Sequence, residues 1–198
     1  MMDVAALGRG RTVSIDHLFE LRDGSGIPEE IIEREGLWSA TADEVKQLLG
    51  WDVGSGGIVF PYPGHPEFVR VRLDRPWKGP GYNKPAKYLS PKRGGNHLYI
   101  PKSLPTEVVL GTEPLIITEG EKKALAAIGK GLACIATAGI WSWKSRNQYG
   151  EKQDDERALL DDFRRVNWDG RELVVLIYDS DIIQEHAAWD AYPRLSDS

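Results

Sequence analysis

Apolar positions recur at helical spacing in the first quarter of the chain, then alternate with polar ones, and finally collect into short continuous runs. Helical spacing predicts three short helices. The first covers Ile15 to Leu21 behind an N-capping Ser14. The second starts at Pro28, a residue suited to a first helical turn, and ends near Gly36. The third follows Thr41-Ala-Asp-Glu44, a capping box, and is closed by Gly50 after Leu48 and Leu49. Residues 1–13, with Gly8, Gly10 and two arginines, read as a mobile leader.

Strand periodicity takes over at Ile58-Val-Phe-Pro-Tyr62 and at Phe68-Val-Arg-Val-Arg-Leu73, which alternates strictly and sets Arg70 and Arg72 on one face. Pro63-Gly-His-Pro66 joins the two as a hairpin. Residues 74–96, rich in Pro, Gly and Lys, read as a long irregular segment, and His97 to Ile100 as a short strand. From Pro114 onward strands and helices alternate. Leu115–Thr118 is a strand, Glu121–Gly129 a helix, Leu132–Ala136 a strand, 153–166 a helix, and Leu173–Tyr178 a continuous apolar run of the kind found in a central parallel strand. That alternation predicts an α/β fold, a parallel sheet with flanking helices, preceded by a small α+β N-terminal subdomain. The boundaries are a leader over 1–13, a first subdomain over 14–110 and the α/β unit over 111–198.

Composition adds little until charge is divided along the chain. The 198 residues are 41% hydrophobic and 28% charged, enough to bury a core. No run approaches the roughly 20 apolar residues of a membrane span, and the start lacks the apolar core of a secretory signal. One cysteine, Cys134, leaves no internal disulfide and no cysteine-based zinc site, which fits the cytoplasm; inside an apolar strand it reads as packed. The net charge of -5 conceals a polar layout. Between Arg70 and Lys102 nine bases face one acid, whereas residues 151–198 hold thirteen acids and six bases. Bases interleaved with Trp77, Tyr82, Tyr88 and Tyr99 suit a nucleic-acid strand. A solvated surface neutralised by the acidic half is the plainer alternative.

The candidate chemistry stands at strand ends, where open parallel sheets bind ligands. Glu119 directly follows one strand, and Asp179-Ser-Asp181 follows another. Carboxylates brought together repel unless a cation lies among them, and Mg²⁺ is the natural one. Each acid also has a structural role available: Glu119 and Glu121 beside a helix dipole, Asp179 and Asp181 as turn or cap residues. The histidines His17, His65, His97 and His186 are scattered, with no zinc-enzyme spacing, and no P-loop is present.

Thr118-Glu-Gly-Glu-Lys-Lys-Ala124, then Thr137-Ala-Gly139, then Tyr178-Asp-Ser-Asp181, in that order, resembles the Toprim domain of bacterial-type primases, topoisomerases and some nucleases. Lys87-Tyr-Leu-Ser-Pro91 and Gly95-Asn-His-Leu-Tyr99 are similar to the stretch that precedes Toprim in replicative primases. The Toprim-like domains of phage and plasmid primase-helicase proteins are closer still. The resemblance implies Mg²⁺ (or Mn²⁺) chemistry on phosphodiesters. Glu119 would be the acid/base or metal-positioning group, and Asp179 and Asp181 the metal ligands. Single-stranded DNA and nucleoside triphosphates would lie along Arg70, Arg72, Lys84, Lys87, Tyr88, Lys92, Arg93, Lys122 and Lys123. It further implies a replicative helicase in cis or in trans, replication of a mobile element, and no membrane. A full domain of this kind continues past the D-x-D with a helix and a strand, where residues 182–198 stand here. Three functions are thus in view: a primase-like nucleotidyltransferase, a nuclease using the same acids with water, and a catalytically idle nucleic-acid-binding module.

Overall fold

The structure is a computed structural model that describes residues 7–79, 84–144 and 159–179. Helix α1, Ile15–Arg22, is capped by Ser14, whose hydroxyl accepts from His17 N. Helix α2, Glu29–Glu35, begins one residue after Pro28, which stands at the N-cap, and ends at a left-handed Gly36. Strand β1, Trp38–Ala40, precedes helix α3, Ala42–Leu49, whose capping box of Thr41 and Glu44 is fully formed. The leader's described part lies against this assembly. Leu7 packs beside the core under α3, the Arg11 guanidinium stands 4.7 Å over the Trp38 ring, and Thr12 O accepts from Ser39 N.

Strands β2, Gly57–Tyr62, and β3, His65–Trp77, form the expected hairpin, but its turn is only Pro63-Gly64, with Tyr62 opposite His65. Part of the stretch expected to be irregular is strand. β3 continues to Trp77, and β4, Ala86–Leu89, pairs antiparallel with it. Proline and lysine density hid this edge pairing, since both residues are tolerated where one side of a strand has no ladder to make. The sheet order is β1-β2-β3-β4, all antiparallel. One face carries Val59, Val69, Val71 and Leu73 against α3. Arg70 and Arg72 share the opposite face with Phe60 and Ile58, their cross-strand partners, and this second face also packs against helices.

The α/β unit opens with helix α4, Thr106–Leu110, for which the sequence pattern gave no expectation. Strand β5, Leu115–Glu119, helix α5, Glu121–Gly129, and strand β6, Cys134–Thr137, follow. The helix expected over 153–166 is, within the described residues, a 3-10 turn at Asp161–Arg165. Leu160 precedes that turn with φ -58 and ψ 138, an extended conformation that stops an α-helix there; residues 153–158 lie outside the described residues. With strand β7, Val174–Ile177, the described residues form a three-stranded parallel sheet of order β6-β5-β7. Of these three strands β5 is the central one. Among the described residues β7 is at the edge, with Leu176 and Ile177 about half exposed. His97–Ile100 makes only a bridge, Tyr99 to Ala136, rather than a strand.

That bridge joins the halves of the chain. Tyr99 N donates to Ala136 O and Ala136 N to Tyr99 O, at 2.8 and 3.0 Å. Beneath it one core contains Leu21, Ile27, Ile58 and Phe60 from the first half with Ala124, Leu125, Cys134 and Ala136 from the second. Burial pushes the Cys134 thiol up to about 12, as befits a packed side chain. Among the described residues no helix is long and apolar enough to cross a membrane.

Candidate functional site

Gly120 makes the site possible. It turns the chain from β5 into α5 with φ 86 and ψ 145, a conformation open essentially to glycine alone. Its N–H donates to Thr137 O at 2.8 Å, which ties the turn to the neighbouring strand. Glu119 and Glu121 flank this glycine, and the turn sends them to different environments.

Glu121 is buried, 1% exposed. Its Oε1 accepts from the Tyr62 hydroxyl at 2.5 Å, and its two oxygens lie 3.0 and 3.3 Å from Arg70 Nη1. The same Nη1 donates to Ala138 O at 2.9 Å, and the guanidinium lies 4.9 Å from the Tyr88 ring centre. Burial opposes the Arg70 charge, but the Glu121 carboxylate outweighs it and holds the guanidinium protonated. Burial, reinforced by Glu121, pushes the Tyr88 phenol up to about 12. Glu121 is thus a neutralised strut between the antiparallel sheet and α5, a role that its place at a helix start did not reveal.

Glu119 is half-buried and lines a cavity of about 390 Å³ with Arg70, Tyr88, Lys122, Lys123, Ala138 and Asp179. β5 and β7 are neighbours in parallel register, Thr118 opposite Ile177, so Glu119 at the end of β5 and Asp179 just past β7 reach one rim. Asp179 is exposed and accepts from Lys123 Nζ at 2.6 Å. Asp181 lies outside the described residues.

The basic side chains divide into two groups. Arg70 is turned inward, its side chain 12% exposed. Arg72 Nε and Lys122 Nζ both pair with Glu20 Oε1, at 2.7 and 2.9 Å, and Lys123 is held by Asp179. Tyr88 stacks under Arg70. Lys84, Lys87, Lys92 and Arg93 are exposed. Arg93 adopts a left-handed φ of 67, a conformation costly for a residue with a Cβ. Lys92 and Arg93 border a larger cavity, about 540 Å³, that shares no lining residue with the first. His65 and His97 line it too, with Asp162 against them. Sequence spacing gave no signal for this cluster, because its members come from three distant segments that only the fold joins.

Residues 107–191 match a family described as a domain of unknown function, DUF3854. No curated protein matches the chain. Among solved structures, the DnaG primase catalytic domain bound to ssDNA is similar with a TM-score of 0.55 and 16% identity, over 95% of this chain and 63% of that one. The DnaG catalytic core gives a TM-score of 0.56 at 16% identity, over 95% and 64%. The zinc-binding and RNA polymerase domains of the Aquifex aeolicus primase give 0.52 at 16%, over 90% and 45%. The fold resembles the primase catalytic core. The chain spans less than two thirds of the length of each of these structures, and at this identity the likeness is one of fold.

Proposed function

We propose that the chain is a primase-type nucleotidyltransferase that makes primers on a single-stranded DNA template with a divalent metal, in the replication of a phage, plasmid or other mobile element. One observation carries this reading: Glu119 ends one of two neighbouring parallel strands, Asp179 follows the other, and both line one cavity. The fold likeness to primase cores supports it.

The donor set at this cavity suits a hard ion. It offers carboxylate oxygens, and Asp179 already draws a cation, the Lys123 ammonium. Asp179 and Glu119, with Asp181, would hold Mg²⁺ or Mn²⁺, which when bound supplies positive charge for the triphosphate and the developing leaving group. Glu119 would position that ion or take the proton from the attacking 3′-hydroxyl. Lys123, released from Asp179, turns to the nucleotide phosphates, and Lys122 stands beside it on the first turn of α5. Arg70 positions rather than contacts: it fixes Glu121 and the cavity wall. Lys84, Lys87, Lys92 and Arg93 carry the template phosphates. A helicase, in cis or in trans, would present the single strand.

Primer synthesis on single-stranded DNA with nucleoside triphosphates and Mg²⁺ tests the proposal. Glu119→Ala and Asp179→Ala are expected to abolish product while circular dichroism stays that of the wild type. Normal primer yield from Asp179→Ala overturns the assignment, and degradation of the template without nucleotides redirects the same acids to hydrolysis.

A further inference from the structure

The larger cavity has a polar floor with no part in the proposed reaction. His65 opens β3 just after the hairpin turn, His97 precedes the bridge at Tyr99, and Asp162 lies in the 3-10 turn. One donor atom from each lies within 4.8 Å of the others. Asp162 is 7% exposed and the histidines are half-buried.

The hydrogen bonds fix the tautomer of His97. Its Nε2 is 2.9 Å from Gly94 O, which can only accept, so Nε2 carries the proton. In the neutral ring Nδ1 then presents a lone pair, and it faces Asp162 Oδ2 at 3.3 Å, another acceptor. Oδ2 also takes the Leu98 N–H at 3.0 Å. A positive charge between them, a second ring proton or a metal ion, satisfies both atoms. A backbone carbonyl holding the far N–H of an imidazole is the arrangement that orients metal-binding histidines. His65 Nε2 meets the other carboxylate oxygen at 2.7 Å, and the two imidazole rings stack with centroids 3.9 Å apart.

Positive charge already gathers here. Arg165 Nη1 lies 3.4 Å from His65 Nε2 and 3.5 Å from Asp162 Oδ1, with Nη2 donating to Pro63 O at 3.0 Å. The guanidinium also lies against Gly64, where an added Cβ would stand 2.6 Å from Nη2. The Arg165 side chain is 36% exposed, so it has a path to solvent when a smaller cation takes the centre.

We propose that His65, His97 and Asp162 form a binding site for a divalent cation of the zinc class, which pins the β2–β3 hairpin to the 3-10 turn. Two imidazole nitrogens and one carboxylate select a borderline ion over Mg²⁺. Three protein ligands leave a fourth position for water. The ion bridges segments about a hundred residues apart in sequence, so its binding also stabilises the fold.

The test uses the full chain after treatment with a chelator. Zinc is titrated against a chromophoric competitor, Co²⁺ is followed by its visible absorption, and melting is recorded with and without zinc. The wild type is expected to take up one equivalent that excess Mg²⁺ does not displace, and to melt higher with zinc. His65→Ala and His97→Ala are expected to lose at least about tenfold in affinity. His97→Gln, which retains a side chain of polar character, should melt at one temperature with or without zinc. Glu119→Ala should bind as the wild type does, which separates this site from the proposed active site. No stoichiometric uptake, unchanged affinity in both histidine variants, or loss of uptake in Glu119→Ala would overturn the assignment.

Discussion

Glu119 and Glu121 have the same chemistry two positions apart, yet they face opposite demands. The Glu121 carboxylate is desolvated, and Arg70 and Tyr62 make its burial tolerable. Removing it strands a guanidinium in the interior, so Glu121→Ala is expected to cost about 3–5 kcal/mol in equilibrium urea unfolding. Glu119→Ala, at a half-buried cavity wall, should change stability by less than about 1 kcal/mol. A reversed order of the two variants would contradict this division of roles. At this scale the sequence was informative about which acids follow strands and silent about which are neutralised. Residue type and position locate Glu119 and Asp179. Only the approach of a distant sheet reveals that Arg70 answers Glu121, and no local pattern encodes that His65, His97 and Asp162 meet.

Elements with self-contained signals were legible. The helix α3 is an instance: its cap residues, amphipathic face and closing glycine all lie within ten positions. Its start also supplies a pH-dependent contribution. The Thr41 backbone N–H, with further help from the Arg11 guanidinium, holds the Glu44 carboxyl below the usual carboxylate range. A depressed folded pKa contributes stability above the unfolded value near ~4.3 and loses it as pH falls through the folded value. Thr41→Ala is expected to cost about 1 kcal/mol at neutral pH. The deficit of Glu44→Gln against the wild type, read from urea melts, should be larger at pH 7 than at pH 3. Elements that depend on partners were misread. β4 and the far end of β3 exist because they pair with each other, through a stretch whose composition resembles a loop. The run in β7 is as apolar as a central strand, but chain order does not state which strand takes the middle; among the described residues β5 does, because β6 and β7 both pair with it.

Across the whole molecule the basic segment is less available than its charge count implies. Arg70 and Arg72 point into the helices, whereas Lys84, Lys87, Lys92 and Arg93 face outward. Binding to single-stranded DNA should therefore weaken with salt through the second group. Replacing Lys87, Lys92 or Arg93 by Ala is expected to flatten the dependence of log K on log salt by about 0.7 for each phosphate left without its cation. Arg72→Ala, paired with Glu20, should leave the slope unchanged in fluorescence-anisotropy titrations, and equal flattening by all four would show that the pairing opens on binding. The division at residues 110 and 111 describes chain order better than it describes packing. Phe60 and Leu125 sit in the same buried cluster although one belongs to each half. The two halves are therefore not free to drift apart as sequences: a change of volume on one side of that cluster must be answered on the other, and a chimera that borrows only one half inherits a mismatched seam.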